Sequence, residues 1–125
     1  MATWQEVHDY IHGNYKASDA DSSRVVLGFQ LDGGRSQQVH VQAVADGAVI
    51  LVMSPIAEID KINLRQLLMM TNDTPFGVAC DGEMVVMQQT LLTATLDAPE
   101  LEIALTMMTA HADAFEQVLT GGDSY

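Results

Sequence analysis

Cys80, the one cysteine of the chain, is the residue whose type best suits nucleophilic chemistry. A thiol becomes a nucleophile where a nearby base or positive charge favours its thiolate form. Cys80 is instead followed by Asp81 and Glu83, and it closes the apolar run FGVAC (76–80). A cysteine in such a run commonly packs as a small hydrophobic side chain. We therefore assign no catalytic residue and predict that the protein is not an enzyme.

His8 and His12 are four residues apart, a spacing that places two imidazoles on one side of a helix, where they can share a metal ion. The sequence has no HExxH motif and no identifiable third ligand. Calcium loops need oxygen ligands at regular close spacing, whereas Asp32, Asp46 and Asp81 are each explained by a turn. The sequence therefore predicts no metal site and no cofactor.

The methionines indicate a different kind of chemistry, the adaptable packing of an apolar binding surface. The chain has eight methionines in 125 residues, and methionine is over-used on surfaces that fit varied partners. Adjacent Met69 and Met70 cannot share one helix face, and neither can Met107 and Met108. One member of each pair must therefore point away from the local core. Gap-filling in an ordinary core is the alternative for these side chains.

The run EMVVMQQTLL (83–92) has the pattern of a strand with two apolar faces. Met84 and Val86 lie on one face, whereas Val85 and Met87 lie on the other. One face should pack on helices, and the other needs cover from a dimer partner, the second helix or a client segment. The predicted protein-binding and dimer residues are Leu67, Met69, Met70, Phe76, Met84, Val86, Met87 and Met107.

Two helices with clear caps flank the strands that would position these residues. Thr3 with Glu6, and Asp97 with Glu100, have capping-box spacing. The last helix has two apolar stripes. The first stripe consists of Leu101, Leu105, Met108, Ala112, Phe115 and Leu119, and the second of Ile103, Met107, Ala110, Ala114 and Val118. A helix this apolar needs cover on more than one side, so the second stripe predicts either burial under the first helix or a subunit or partner contact.

The middle of the chain reads as strands joined by tight turns. The segments RVVLGFQL (24–31), RSQQVHVQAV (35–44) and AVILVM (48–53) are separated by Asp-Gly turns and predict three consecutive antiparallel strands. Pro55 should end the third strand. A second helix is predicted over about residues 56–70, and a hairpin over residues 76–92. Residues 16–23, KASDADSS, are small and polar and predict a flexible loop.

The resulting order is α-β-β-β-α-β-β-α, an α+β fold with a five-stranded antiparallel sheet and helices packed on it. The length suits a single domain over residues 1–125, with a short tail at 121–125. Seventeen acidic against five basic residues give a net charge of -12, which disfavours nucleic-acid and membrane partners. One cysteine and no signal-peptide pattern in MATWQEVHDYIHGNY predict a cytoplasmic protein.

This element order, together with the segments VLGFQLDGGRSQQVHVQAV, TPFGVACDGEMVVMQQTLL and LEIALTMMTAHADAFEQVL, resembles the YbjN family of bacterial sensory-transduction regulators and the type III secretion chaperones. The resemblance implies a small acidic dimer that binds other proteins and catalyses nothing. We therefore expect a homodimeric, chaperone-like or regulatory adaptor that holds a client polypeptide on an apolar, methionine-rich surface. The alternative is a small-molecule-binding regulator with its pocket between sheet and helices.

Overall fold

The structure is a computed structural model that describes residues 1–123 and 125. The described residues form three α-helices and six strands. In chain order these are α1 (Trp4–Asn14), β1 (Ala17–Asp21), β2 (Arg24–Gln30), β3 (Ser36–Val44), β4 (Val49–Glu58), α2 (Leu64–Met70), β5 (Gly77–Asp81), β6 (Met84–Leu92) and α3 (Ala98–Thr120). The predicted tail starts directly after α3, and its position 124 lies outside the described residues.

All strands belong to one antiparallel sheet with the order β1-β2-β3-β4-β6-β5. The predicted α+β class is therefore confirmed, but the sheet has six strands where the sequence predicts five. Helices α1 and α3 pack on one face, which we call the covered face, and the main core lies between them and the sheet. The other face, which we call the open face, carries alternate side chains of the same strands.

The sixth strand is β1, which occupies most of the segment predicted to be a flexible loop. It pairs with β2 through Ala17 opposite Leu27 and Asp19 opposite Val25. Its side chains are mostly exposed, as expected for a polar strand at the edge of a sheet. The sequence prediction failed because β1 is held by backbone pairing to β2 and carries no apolar alternation of its own.

Strand β4 continues through Pro55, which the sequence predicts to be its end. Pairing of β4 with β3 stops at Met53, and a register shift against β6 lies between Pro55 and Ala57. Beyond this point Gln37 of β3 replaces the missing backbone pairing. Its Nε2 donates to Ser54 Oγ and to the Pro55 carbonyl, each at 2.8 Å. A proline is tolerated at such an irregularity. The second helix is correspondingly shorter than the predicted 56–70 and begins only at Leu64.

The helix ends follow the predicted caps. The hydroxyl of Thr3 accepts a hydrogen bond from the Glu6 amide at 3.2 Å, and a carboxylate oxygen of Asp97 accepts from the Glu100 amide at 2.8 Å. Gly121, with φ of 73°, closes α3 in the left-handed conformation that glycine adopts without strain. These local signals fix where α1 begins and where α3 begins and ends. Among the described residues, none of the helices has the length and apolar character required to cross a membrane.

Candidate protein-binding surfaces

The second apolar stripe of α3 is exposed along its whole length. Ile103 is 59% exposed, Met107 37% and Val118 60%, and both alanines between them are exposed as well. Of the two alternatives, burial of this stripe under α1 is therefore wrong. Helix α1 instead contributes Val7 and Ile11 to the main core, so its apolar side is already used against the sheet.

Helix α2 adds a second exposed apolar patch and packs against α3. Its seven residues bury Leu67, while Leu64, Leu68 and Met69 are 46%, 60% and 66% exposed. We call the exposed side chains of the two helices the α2–α3 surface. Its members are Leu64, Leu68, Met69, Ile103, Met107 and Val118. A run of large exposed apolar groups on neighbouring helices is typical of a surface that contacts another molecule.

A groove of about 450 Å³ lies between the first half of α3 and the covered face of β6. Phe76 forms part of its wall, with its ring edge-on to His111 at 5.3 Å between centroids. Ile103 and Met107 line the opposite wall. The side-chain oxygen of Gln89 is buried there with no hydrogen-bond partner among the described residues.

The open face of the sheet holds the second apolar region. Met53 and Val86 are buried there, although they do not belong to the main core. Together with Met84 and Pro55 they line a cavity of about 240 Å³. This volume is smaller than the roughly 300–1,000 Å³ of pockets for drug-sized ligands. The cavity also lies on the face opposite the helices, so it does not match the predicted small-molecule pocket between sheet and helices.

His40 lines this cavity, and its protonation is disfavoured in the folded state. Burial is the main cause that lowers the pKa of His40 below its usual 6.5, and the positive charge of Arg24 lowers it further, whereas Asp81 acts in the opposite direction. Nδ1 of His40 is buried without a hydrogen-bond partner among the described residues. A neutral imidazole is therefore the favoured state of this side chain.

The structure separates the eight residues predicted from sequence into two groups. Met69 and Met107 are exposed, Met70 and Met84 are half-buried, and Met108 next to Met107 is fully buried. The prediction that each methionine pair points in two directions is therefore confirmed. The remaining four predicted side chains are buried, three of them in the main core and one on the open face. Leu67, Phe76 and Met87 lie in the main core, and Val86 lies on the open face.

Cys80 is exposed near the end of edge strand β5, where it pairs with Val85 of β6. The prediction that this cysteine packs as a small hydrophobic side chain is therefore wrong. The apolar run that suggested burial belongs to an edge strand with a neighbour on one side only, and Cys80 is exposed beside the turn at Asp81 and Gly82.

The two histidines of α1 meet a third polar residue that sequence reasoning missed. Asp19 of β1 places Oδ1 at 2.9 Å from His8 Nε2 and at 2.6 Å from His12 Nε2. The imidazole of His8 also lies against Asp9, with 3.3 Å between Nδ1 and Oδ1. Recognising Asp19 as a partner required placing residues 17–21 in a strand beside α1, and the polar composition of that segment hid the strand.

The fold is similar to that of a chain in the crystal structure of the ExsC–ExsE complex. The TM-score is 0.67 at 17% sequence identity, and the match covers 95% of this chain and 97% of that chain. No protein-family profile and no curated protein sequence matches the chain, so membership of the YbjN family stays a prediction. The chain therefore has an α+β fold with six antiparallel strands, similar to the fold of that chain.

Proposed function

We propose that this chain is a non-enzymatic protein-binding module, a chaperone-like or regulatory adaptor that pairs with a second copy of itself and holds a client polypeptide. The observation that carries the proposal is the α2–α3 surface. Six large apolar side chains are exposed on two helices that pack together, and such patches are uncommon on proteins that bind nothing. The shared fold with a chain from a two-protein complex supports the same class of function.

Self-association is assigned to α2 and the hairpin of β5 and β6. Leu68 and Met69 project from α2, and β5 is an edge strand whose outer backbone groups are unpaired in the sheet. An edge strand readily accepts another strand, so the hairpin and α2 offer a second copy both backbone and apolar contacts. Pairing would cover the most exposed methionine of the chain.

The client is assigned to the groove beside α3. Ile103, Met107 and Phe76 supply its apolar walls. Glu100 lies at the groove, and the chain has a net charge of -12. The matching partner is therefore an amphipathic helical segment with apolar side chains on one face and lysine or arginine on the other, bound by the helix-in-groove mode.

A designed peptide tests this assignment directly. The probe is a fluorescent 20-residue amphipathic helix, with leucine at positions i, i+3, i+4 and i+7 and lysine on the other face, titrated with the full chain by fluorescence anisotropy. We expect saturable binding that weakens at least about tenfold in the double variant Ile103→Asp, Met107→Asp, because two apolar contacts are replaced by charges. A version with glutamate in place of lysine should bind more weakly.

The control is Thr90→Asp, which adds one of the two negative charges at an exposed position of β6 outside the groove. Its affinity for the peptide should equal that of the unmodified chain. Equal binding by the unmodified chain and the double variant would assign the peptide to another surface, and no saturable binding would reject the client-binding proposal.

The dimer is tested separately by light scattering across a range of protein concentrations. The double variant Leu68→Asp, Met69→Asp should raise the dimer dissociation constant by about 100-fold, since each change removes roughly 1.4 kcal/mol or more of apolar contact. A monomer at micromolar concentration in the unmodified chain would refute the dimer. An unaltered dimer in the variant would place the interface elsewhere.

A further inference from the structure

Three metal-ligand side chains converge between α1 and the edge strand β1. The Nε2 atoms of His8 and His12 both point at one oxygen of Asp19, at 2.9 Å and 2.6 Å. The two imidazole rings lie side by side, with 4.4 Å between their centroids. The three donor atoms come from two elements that are separated in the sequence, so their convergence is a property of the tertiary structure.

The local geometry of both elements explains this convergence. His8 and His12 are one helical turn apart and lie next to Val7 and Ile11, which anchor α1 in the main core. Asp19 pairs with Val25, a core residue of β2, so its side chain projects from the covered face towards α1. The polar residue therefore reaches the helix because strand alternation places it on the same side as the core.

The arrangement matches the coordination chemistry of a divalent transition metal. Two imidazole nitrogens and one carboxylate oxygen are a common set of three protein ligands for Zn²⁺, with a fourth position left for water. Ligands about 2.0–2.1 Å from a tetrahedral ion are about 3.3 Å apart. Asp19 Oδ1 would therefore have to move away from His8 Nε2 by about 0.4 Å and from His12 Nε2 by about 0.7 Å, and the partial exposure of these side chains leaves room for this movement.

Asp9 adds the outer-shell partner that metal-binding histidines usually have. Its carboxylate lies 3.3 Å from Nδ1 of His8, on the side of the ring away from Asp19. A proton held on Nδ1 by a carboxylate leaves the lone pair of Nε2 available to coordinate a metal ion. The contact with Asp9 therefore orients the ring of His8 so that its Nε2 is available to a metal ion.

We propose that His8, His12 and Asp19 form a binding site for one divalent transition-metal ion, with Zn²⁺ as the ion that best fits two imidazoles and a carboxylate. The bound ion fastens α1 to the edge strand β1 and so stabilises the side of the sheet that has the most polar strand. This site is distinct from the α2–α3 surface and does not depend on the function proposed for it.

Trp4, the one tryptophan of the chain, provides a built-in reporter for this site. Its ring lies 6.1 Å from that of His8. The full chain, freed of any affinity tag and treated with chelator, is titrated with Zn²⁺ by calorimetry and with Co²⁺ by absorption and Trp4 fluorescence. We expect one ion per chain, a dissociation constant in the micromolar range or below, and the intense visible absorption of four-coordinate Co²⁺.

Single substitutions assign the ligands. Each of His12→Ala and Asp19→Asn should weaken Zn²⁺ binding at least about tenfold, and Asp9→Asn by about tenfold through loss of the outer-shell contact. The matched control is His111→Ala, which also removes one imidazole and should leave Zn²⁺ binding unchanged, because His111 is not among the three converging side chains. Circular dichroism checks that every variant is folded, and the melting temperature should rise with Zn²⁺ in the unmodified chain but not in His12→Ala.

Two results would overturn the proposal. The first is the lack of saturable Zn²⁺ binding by the unmodified chain, which would leave the three residues as a hydrogen-bonded surface network. The second is equal affinity in the unmodified chain, His12→Ala and Asp19→Asn, which would place the ion at other residues. His12→Ala and Asp19→Asn change exposed positions and are tested separately. If one of them misfolds, the other still tests the site.

Discussion

The two apolar sides of α3 have nearly the same kinds of side chains and opposite environments. Leu105 and Met108 are fully buried against the sheet, whereas Ile103 and Met107 on the outer side are exposed. Hydrophobicity alone therefore does not decide which side of a helix enters the core. The deciding factor is which side faces the apolar surface of β3, β4 and β6, because burial requires a partner surface.

Strand β6 repeats this contrast on a smaller scale. Val85 and Met87 face the helices and belong to the main core, whereas Met84 and Val86 face the open side of the sheet. The covered side of β6 packs in the main core, whereas on the open side Val86 is buried outside the main core and Met84 is half-buried. Matched substitutions on the two sides measure how complete this division is.

The largest contrast is expected from a charge placed on each face of β6. Met87→Asp should lower the free energy of unfolding by about 4–5 kcal/mol, because it buries an unpaired carboxylate in the core. Met84→Asp, at a half-buried position on the open face, should lower it by about 1 kcal/mol. Urea unfolding followed by circular dichroism measures both values, and equal losses would show that the open face is as tightly packed as the core.

A smaller contrast is expected from truncating the adjacent methionines of α3. Met108→Ala should lower the free energy of unfolding by about 3 kcal/mol, since it leaves a cavity in the core. Met107→Ala removes the same atoms from the outer side and should change it by no more than about 0.5 kcal/mol in dilute protein. A loss for Met107→Ala that grows with protein concentration would indicate that self-association covers this side chain.

The smallest effect is expected from His40 on the open face, and it depends on pH. Because burial and Arg24 lower the pKa of His40 in the folded state, the unfolded chain takes up this proton first as the pH falls. Stability should therefore decrease as the pH drops through the unfolded pKa of 6.5, and His40 should contribute no pH dependence well above it. Urea unfolding at about pH 7.5 and pH 5.5 compares the chain with His40→Gln.

In His40→Gln the decrease between these pH values should be smaller than in the unmodified chain. The charges that face His40 are those of Arg24 and Asp81, and both remain in the variant. The same decrease in both proteins would show that protonation of His40 is not disfavoured by folding.

Much of the architecture was predictable because it depends on neighbours in the sequence. The caps at Thr3 and Asp97 and the hairpins at the Asp-Gly turns involve residues within a few positions of each other. The division of each methionine pair also follows from helix geometry, since adjacent residues point about 100° apart. These features did not need knowledge of the rest of the chain.

The parts that were not predicted depend on contacts between different elements, whether these are near or far in the sequence. Strand β1 forms because β2 presents a free edge to it, and β4 passes Pro55 because Gln37 supplies hydrogen bonds from another strand. The α3 stripe could not be assigned in advance, since its exposure depends on where α1 docks. Asp19 lies only seven residues after His12, but it could not be linked to the histidines without knowing that residues 17–21 form a strand beside α1.

The sequence by itself determined the element types, most of their ends and the presence of more apolar side chains than one helix face or one sheet face can use. Only the tertiary structure decided which apolar side chains are covered, which edge gains a strand, and that two histidines of α1 meet an aspartate of β1. The physical reason is that secondary structure responds to local periodicity and capping, whereas burial and ligand geometry are set by how different elements pack against one another.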